Sequence, residues 1–335
     1  MKVHITNIYN NYGTGGIAQQ KTAKIAKEMG FGELDLYWYN TDVDNDIELG
    51  KRIDGIIPAV KSGDIVFFQS PSWNDIRYDF KLINCLKRYP NLKIAILIHD
   101  VIPLMRNWGE DKIVEIISLF NLADLIIAPS HKMLELLCKY GLNVKKHMIQ
   151  KIWDYPIELE TSIPGYYKRI FFTGAPSRFP FIQTWKMKTL MCLYCDEAIN
   201  LKNLNVEVRG YQKEYKLLLE LSEGGYGLVW SSEEAYEYYS LLQPYKTASF
   251  LAAGIPVILQ KGLAGEEIIV KNRLGFVVES LEEADAIVQN TTETEYNAMV
   301  KRISEFNFLI KNGWFTRKLL TDAVMWLLND NYKPE

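Results

Sequence analysis

The chain of 335 residues has a hydrophobic fraction of 48% and a charged fraction of 24%. These values exclude an intrinsically disordered protein, and the length suits two α/β domains of roughly 150 residues each. The formal net charge of −3 argues against a protein that binds nucleic-acid phosphates through a broad basic surface.

The N-terminal residues enter a predicted strand directly, without an apolar signal segment, and no window approaches 18 uninterrupted apolar residues. The four cysteines lie inside apolar or helical patterns, which is typical of a reducing compartment. We therefore expect a cytoplasmic protein without a transmembrane segment.

In chain order, the first half alternates strands with helices. The predicted strands lie at residues 3–8, 34–39, 64–69, 92–98 and 125–128, and the predicted helices at 17–29, 47–60, 75–88, 111–121 and 131–140. Near-continuous apolar strands such as 64–69 are typical of a parallel sheet that is covered on both faces. The pattern predicts a doubly wound parallel sheet.

The alternation lapses between residues 154 and 167, where two prolines and a glycine indicate an interdomain linker. It restarts with predicted strands at 169–173, 206–209, 226–230, 256–259 and 275–278, and helices at 182–197, 213–221, 244–253 and 266–271. From residue 281 onward only helices are predicted, and the last one carries a single apolar stripe. The fold class is therefore α/β, with two Rossmann-like domains facing each other across a cleft.

Residues 245–275 are the most informative stretch of the sequence. They predict a helix that ends at Gly254, a buried strand at 256–259, a glycine-containing loop and a helix that begins near Gly265. Lys246 lies in the first turn of a helix opened by Pro244, so its ammonium group and backbone N–H groups can face one anion. A phosphate is the expected ligand, because ligands of open α/β sheets bind at the carboxyl ends of the strands.

This stretch resembles the nucleotide-sugar-binding half of GT-B glycosyltransferases, in which a basic residue, a small-residue helix ending in glycine, a Gly-x-Pro-Val-Ile strand and a later Glu surround the donor. More narrowly, the whole chain is similar to the bacterial glucosyltransferases that extend N-acetylglucosamine on serine-rich repeat adhesins of streptococci and lactobacilli. The resemblance implies that the final helix returns to the N-terminal domain. The expected domains are residues 1–155 with 314–335, and residues 156–313.

The donor, a UDP-sugar, is expected to bind the second domain without any cofactor or metal. Arg178 and Lys246 are the two predicted cations for its diphosphate, because a metal-free site must neutralise that charge with side chains and helix N-termini. Tyr211 follows a strand and is the predicted contact for the nucleoside. The resemblance also places Thr247, Ser249 and Glu267 around the donor. The alternatives are a surface position for Arg178 and a packing role for Tyr211.

Many retaining GT-B enzymes carry Glu-x7-Glu, but Leu241 and Ser249 occupy those two positions here. Whether the anomeric configuration is retained therefore stays open.

The first domain contains the predicted acceptor-side residues. Asp100 and His99 follow a strand, and we expect Asp100 to accept the proton of the attacking hydroxyl and His99 to hydrogen-bond a sugar, both with usable pKa values. A turn in which Asp100 caps the next segment is the alternative. Trp73 follows the neighbouring strand and is the predicted platform for a sugar ring, with a simple packing role as the alternative.

Thr14, Gly15 and Gly16 belong to a glycine loop that formally satisfies Gly-x-Gly-x-x-Ala, the dinucleotide fingerprint. Residues 9–12 separate the loop from the preceding strand, which disfavours NAD. A loop whose backbone N–H groups lie near a phosphate or sugar hydroxyls is the favoured interpretation, and a plain turn is the alternative.

Two further motifs are interpreted as structural. Asp42-Val43-Asp44 matches the D-x-D metal signature of the GT-A fold, but its polar surroundings without histidine favour a solvated loop. Cys192 and Cys195 fall in the predicted 182–197 helix and are expected to fill the core.

The resemblance therefore implies a transferase that moves a hexose, with glucose the expected one, from UDP to N-acetylglucosamine O-linked to a serine-rich adhesin. The resemblance also implies a homo-oligomer. A UDP-sugar epimerase and an inactive GT-B subunit that chaperones a partner transferase are the alternatives. Neither nucleic acid nor membrane is an expected partner.

Overall fold

The computed structural model describes residues 1–11, 13–197, 201 and 203–334, so Tyr12 of the glycine loop lies outside the described residues. The chain divides into two compact units. Unit 1 comprises Met1–Lys151 with Trp314–Glu335, and unit 2 comprises Ile152–Gly313. The boundary between the units therefore follows Lys151, whereas the sequence assigned residues up to Tyr155 to the first domain.

Unit 1 contains a parallel sheet of six described strands in the order β2-β1-β3-β4-β5-β6. The strands are β1 (Val3–Tyr9), β2 (Gly32–Tyr37), β3 (Ile65–Ser70), β4 (Lys93–Ile98), β5 (Leu125–Ala128) and β6 (Lys146–Ile149). The helices before unit 2 are α1 (Thr14–Glu28), α2 (Asp46–Ile56), α3 (Ile76–Leu86), α4 (Ile102–Arg106), α5 (Glu110–Phe120) and α6 (His131–Lys139). The sequence did not predict β6 or α4.

The central strands of unit 1 are apolar because helices cover both faces of the sheet. Every residue of β3 is buried, and β4 is buried from Ile94 onward. Polar residues start several of the helices: Asp75 accepts a hydrogen bond from the N–H of Tyr78 at 2.6 Å, and Asn45 forms a capping box with Glu48. These caps fix where each helix begins.

Unit 2 contains a second parallel sheet of six described strands, in the order β12-β11-β10-β7-β8-β9. Its strands are β7 (Arg169–Thr173), β8 (Leu190–Tyr194), β9 (Val206–Val208), β10 (Tyr226–Val229), β11 (Val257–Gln260) and β12 (Gly275–Val278). Its helices are α7 (Glu214–Leu221), α8 (Glu233–Tyr239), α9 (Tyr245–Ala252), α10 (Glu266–Asn272), α11 (Leu281–Asn290) and α12 (Glu293–Lys311).

The final helix, α13 (Trp314–Leu328), packs against α1 within unit 1. Leu319, Leu320 and Leu327 of its apolar stripe are buried in the cluster that contains Ile5 and Phe67 of the sheet. The buried stripe attaches α13 to the sheet that the first 151 residues form.

The predicted helix at 182–197 is wrong. The structure has a short 3₁₀ helix at Pro180–Thr184 and then β8, which pairs in parallel with β7. Cys192 therefore lies in a strand, and both Cys192 and Cys195 are buried free thiols, as expected of core residues. The short run from Met191 to Tyr194 is buried on both faces, and periodicity alone does not distinguish such a run from a buried helix.

Candidate active site

The strand orders place one topological switch point in each sheet. If β7 is counted as the first strand of unit 2, the order of its sheet from β9 to β12 is 3-2-1-4-5-6, and the direction of the chain along the sheet reverses between β7 and β10. In unit 1 the direction reverses between β1 and β3. Open α/β sheets bind ligands outside the carboxyl ends of the strands at such points. The segment from Gly174 to Arg178 follows β7 in unit 2, and the segment from Gly13 to Gly16 follows β1 in unit 1.

Lys246 lies in the first turn of α9, after Pro244 at the N-cap, as the sequence predicts. Its Nζ atom is shielded from solvent, 4.3 Å from the ring centroid of Phe172 and 4.2 Å from that of Phe179. Nζ has no hydrogen-bond partner among the described residues. Burial lowers the pKa of Lys246 to about 7, and the nearby positive charge of Arg178 adds to the effect.

Arg178 is exposed and lies beside the same aromatic cluster. Its Cζ atom is 5.8 Å from the ring centroid of Phe179 and 5.5 Å from that of Tyr239. The two predicted cations therefore share the Phe179 ring, and they have the same sign of charge. An anion that binds here would relieve the repulsion between them and accept the hydrogen bonds that Lys246 lacks.

Gly174 makes the aromatic cluster possible. A Cβ atom at this position would lie 2.7 Å from the Phe179 ring and 3.0 Å from the Phe172 ring, closer than side chains tolerate. The glycine after β7 thus allows both rings to reach the position beside Lys246. The sequence pattern did not identify these phenylalanines as part of the site, although Phe179 adjoins Arg178 in the chain.

The two hydroxyl side chains of α9 differ in their surroundings. Thr247 is fully buried, and within the described residues its Oγ1 atom has no hydrogen-bond partner. Ser249 is 8% exposed, and its hydroxyl donates to the backbone carbonyl of Lys246 at 2.8 Å. An unpaired buried hydroxyl is costly, so Thr247 is available to a ligand at lower cost than Ser249.

Tyr211 and Glu267 lie at the surface of unit 2. Tyr211 follows Gly210 after β9 and is 71% exposed, so its ring presents an open face. Glu267 is exposed in the first turn of α10. In the described structure neither residue contacts Lys246 through a hydrogen bond or ring contact, so the structure brings together Arg178 and Lys246 but not these two.

In unit 1, the glycine loop leads directly into α1. Gly13 is the N-cap residue and provides no side-chain cap; its N–H donates to Oδ1 of Asn11 at 3.1 Å. Thr14 is exposed, and Gly16 is buried against the backbone carbonyl of Asn11. The start of this 15-residue helix therefore lacks a side chain that would block an approaching ligand.

His99 is buried and uncharged. Burial lowers its pKa to about 3, whereas the sequence predicts an imidazole with a usable pKa. Its Nε2 atom lies 2.8 Å from Oε1 of Gln69. Because the Gln69 amide nitrogen donates to the carbonyls of Thr6 and Gln19, Oε1 accepts, and we assign the His99 proton to Nε2. His99 is thus a fixed hydrogen-bonding ring without an ionisation near neutral pH.

Asp100 is partly exposed between β4 and α4, and Val101 is the N-cap residue of α4. Val101, and not Asp100, therefore occupies the N-cap position of α4, and the role of Asp100 stays a prediction. Gln69, by contrast, was missed as a site residue. It is fully buried at the end of β3, and the only sequence signal was a polar residue at the end of an apolar run.

The D-x-D segment is only partly solvated. Asp42 is exposed, but Asp44 is buried and accepts hydrogen bonds from the guanidinium of Arg52 at 2.5 and 3.1 Å and from the hydroxyl of Tyr39 at 2.7 Å. Asp44 therefore has a structural partner, which the sequence did not predict. Among the described residues, no group of three or more His, Cys, Asp or Glu side chains is arranged to hold a metal ion. Within the same residues, no helix is both long enough and apolar enough to cross a membrane.

Comparison with known proteins agrees with this architecture. The family described as Glucosyltransferase 3-like matches the chain through its N-terminal domain at residues 2–152 and its C-terminal domain at 170–323. Glucosyltransferase 3 of Streptococcus parasanguinis is 41% identical over 332 residues, which covers 98% of this chain and 100% of that protein. Glucosyltransferase 3 of Streptococcus gordonii is 42% identical over 335 residues, with the same coverage of 98% and 100%.

A solved structure shares the fold. The crystal structure of Anabaena HepE in complex with UDP and glucose superposes with a TM-score of 0.67 at 12% identity and covers 97% of this chain and 99% of that one. The two parallel six-stranded sheets with their helices are the GT-B fold. The chain belongs to the Glucosyltransferase 3-like family of GT-B glycosyltransferases.

Proposed function

We propose that this glycosyltransferase moves glucose from UDP-glucose to N-acetylglucosamine that is O-linked to a serine-rich adhesin. The observation that carries the donor half of the proposal is Lys246, a shielded ammonium group without a hydrogen-bond partner in the described structure, beside Arg178. Two neighbouring cations to which the described residues supply no anion suit the diphosphate of a nucleotide sugar. The name of the streptococcal relatives supports glucose, and HepE binds UDP and glucose within the same fold.

Unit 2 would hold the donor. Lys246 and Arg178 bind the diphosphate, and the first turn of α9 adds backbone N–H groups and the Thr247 hydroxyl. Lysine has a flexible four-carbon stem, so Nζ can leave the aromatic rings and reach a phosphate oxygen. Tyr211 offers an exposed aromatic face for the uracil. Ser249 and Glu267 complete the donor side in this proposal.

Unit 1 would activate the acceptor. Asp100 is partly exposed and accepts the proton of the acceptor hydroxyl as its oxygen attacks the anomeric carbon of glucose. The bond between that carbon and the diphosphate oxygen breaks, and UDP leaves with the electron pair. The cations of unit 2 stabilise the charge that develops on UDP, so the proposed reaction needs no metal ion. His99, as a neutral ring, and the loop of Thr14, Gly15 and Gly16 contribute hydrogen bonds to the sugars.

A mass-shift assay tests the function. The protein is incubated with UDP-glucose, UDP-galactose or UDP-N-acetylglucosamine and with a serine-rich peptide that carries N-acetylglucosamine. The unmodified peptide serves as the control. We expect a hexose addition with UDP-glucose that requires the modified peptide. Epimers have equal mass, so the nucleotide sugars are also separated by chromatography, and conversion of one UDP-sugar into another without an acceptor would indicate an epimerase. The absence of turnover with every donor would indicate an inactive subunit. The homo-oligomer and the cytoplasmic location stay predictions.

A further inference from the structure

Gly15 and Trp73 are in contact at the switch point of unit 1. A Cβ atom at Gly15 would lie 2.3 Å from Cζ2 of the Trp73 indole and 3.0 Å from Cε2, far inside the normal contact distance. Gly15 opens α1 after β1, and Trp73 follows β3, the neighbouring strand across the reversal of strand order. The edge of the indole therefore occupies the space that a side chain at Gly15 would need.

The segment that carries Trp73 is held firmly against α1. Gln19, one turn after Gly15 on the same face of α1, donates from its side chain to the carbonyl of Pro71 at 2.8 Å. The side-chain amide of Gln69 donates to the carbonyl of Gln19 at 3.1 Å. The buried hydroxyl of Ser72 also donates a hydrogen bond to Asp79 in α3. These bonds fix the backbone that leads into Trp73.

The indole ring itself is placed by packing. Trp73 has a φ of 62°, in the left-handed region that a bulky residue rarely adopts, and this backbone directs the ring toward α1. Its Nε1 atom is shielded from solvent and has no hydrogen-bond partner among the described residues. No described residue fixes the ring by a hydrogen bond, so packing holds it, and its contact with Gly15 limits how close the glycine loop can approach.

The same hydrogen bonds also connect α1 to His99, which precedes Asp100, the proposed base. Gln69 accepts from His99 through Oε1 and donates to Gln19 through its amide, and Gln19 leads along one face of α1 to Gly15. A shift of the glycine loop therefore moves it relative to His99 and to Asp100, the next residue in the chain. Reacting groups that are displaced by about 1 Å lose about 100-fold in rate.

We infer that Trp73 is a positioning residue for transfer, because its indole is the floor on which Gly15 rests and so fixes the loop of Thr14, Gly15 and Gly16 relative to His99 and Asp100. The inference rests on the proposed function, in which that loop contacts the sugars. The indole beneath Gly15 explains why this position has no side chain.

The test is a double-mutant cycle on the rate of sugar transfer. Gly15→Ala should lower the transfer rate by about 100-fold, because the new methyl group displaces either the loop or the indole. Trp73→Phe removes the Cζ2 edge while it retains an aromatic ring, and alone it should cost less than about tenfold. The double variant should return to within about threefold of Trp73→Phe alone, because the phenyl ring leaves room for the methyl group.

Two controls use the same substitution elsewhere in unit 1. Gly16→Ala would place its Cβ 2.3 Å from the backbone carbonyl of Asn11, so its loss of rate should not be rescued by Trp73→Phe. Gly55→Ala in α2 meets nothing within 4 Å and should transfer sugar at the parental rate. If Trp73→Phe restores the transfer rate of Gly15→Ala but not that of Gly16→Ala, the loss of rate in Gly15→Ala comes from the contact with the indole and not from a general loss of stability.

A second measurement is independent of activity. Hydrogen exchange of peptides that cover residues 9–20 should accelerate in Gly15→Ala and return toward the parental rate in the double variant, while peptides of β3 stay protected. Transfer by Gly15→Ala at the parental rate would overturn the inference. A double variant that is as impaired as Gly15→Ala in both transfer and hydrogen exchange would also overturn it. If the parent protein transfers no sugar, the proposed function fails, and the exchange cycle alone then decides whether Trp73 positions the loop.

Discussion

The Nζ atom of Lys246 lies 4.2 Å from the centroid of the Phe179 ring, and no described residue accepts a hydrogen bond from it. An ammonium group over an aromatic face gains about 0.5–2 kcal/mol. That gain does not replace its lost hydration, so burial lowers the pKa of Lys246 to about 7. The arrangement has a direct consequence for the pH dependence of ligand binding.

We predict that UDP-glucose binding takes up a proton above neutral pH. In the free protein Lys246 is mostly protonated below pH 7 and mostly neutral above it, whereas the diphosphate favours the protonated form. The affinity should thus be flat below pH 6 and fall about 25-fold between pH 6.5 and 8.5, since only the protonated fraction binds. Calorimetry in two buffers that differ in ionisation enthalpy measures the proton uptake.

Lys246→Arg provides the matched control, because arginine keeps its charge at these pH values. This variant should bind UDP-glucose without proton uptake and with little pH dependence. UDP-glucose is used because the terminal phosphate of UDP itself titrates near pH 6. Arg178, whose charge acts on Lys246, and Tyr245, the preceding residue, are titratable groups of this site, and burial keeps the pKa of Tyr245 well above its ordinary value. Equal pH dependence in the parent and Lys246→Arg would contradict this prediction.

Removal of either cation should slow transfer. Lys246→Ala and Arg178→Ala should each lose about 2–4 kcal/mol of transition-state stabilisation, because the departing diphosphate is left with uncompensated charge. Initial rates at subsaturating UDP-glucose measure the loss. Lys261→Ala is the control: this exposed lysine of unit 2 pairs with Glu279, so its removal should leave the rate unchanged. Full activity in Lys246→Ala or Arg178→Ala would exclude that residue from the site.

Transfer should not depend on the D-x-D segment as a metal ligand. We expect activity to persist in excess EDTA and in Asp42→Asn, because Asp42 is exposed. Asp44→Asn should instead lower the thermal unfolding midpoint, because it weakens the bonds of Asp44 to Arg52 and Tyr39. Loss of activity in EDTA with recovery on addition of manganese would show that a metal takes part.

Damage to the two units should have different kinetic signatures. Tyr211→Ala should chiefly weaken UDP binding, since a stacking contact already exists in the ground state. Asp100→Asn should keep the UDP affinity and lower the transfer rate by a factor of about 100 or more, because only deprotonation of the acceptor needs the carboxylate. Calorimetry with UDP and transfer assays on both variants measure the difference.

Exposed residues of the same type serve as controls for these two variants. Tyr215→Ala removes a 56% exposed tyrosine of α7, and Asp111→Asn neutralises an exposed residue of α5. Both should behave like the parent protein. A loss of UDP binding in Asp100→Asn as large as in Tyr211→Ala, or an unchanged transfer rate in Asp100→Asn, would refute the assignment.

The sequence by itself determined the alternation of strands and helices and the position of Lys246 at the start of α9. Both follow from local rules, because the period of apolar residues, Pro244 before a helix and Gly254 after it act within a few residues of the chain. The same rules failed at β8, where a short apolar run has no period that separates a buried strand from a helix.

Only the tertiary structure decided how residues that are distant in the chain meet. The order of the strands brings β1 beside β3, which places Trp73 under Gly15, and it buries His99 so that its pKa falls to about 3. Phe172 and Phe179 likewise surround a lysine more than sixty residues away in the chain. Burial and contact depend on long-range packing, which the local sequence pattern does not contain, so the environment of each candidate residue emerged only from the fold.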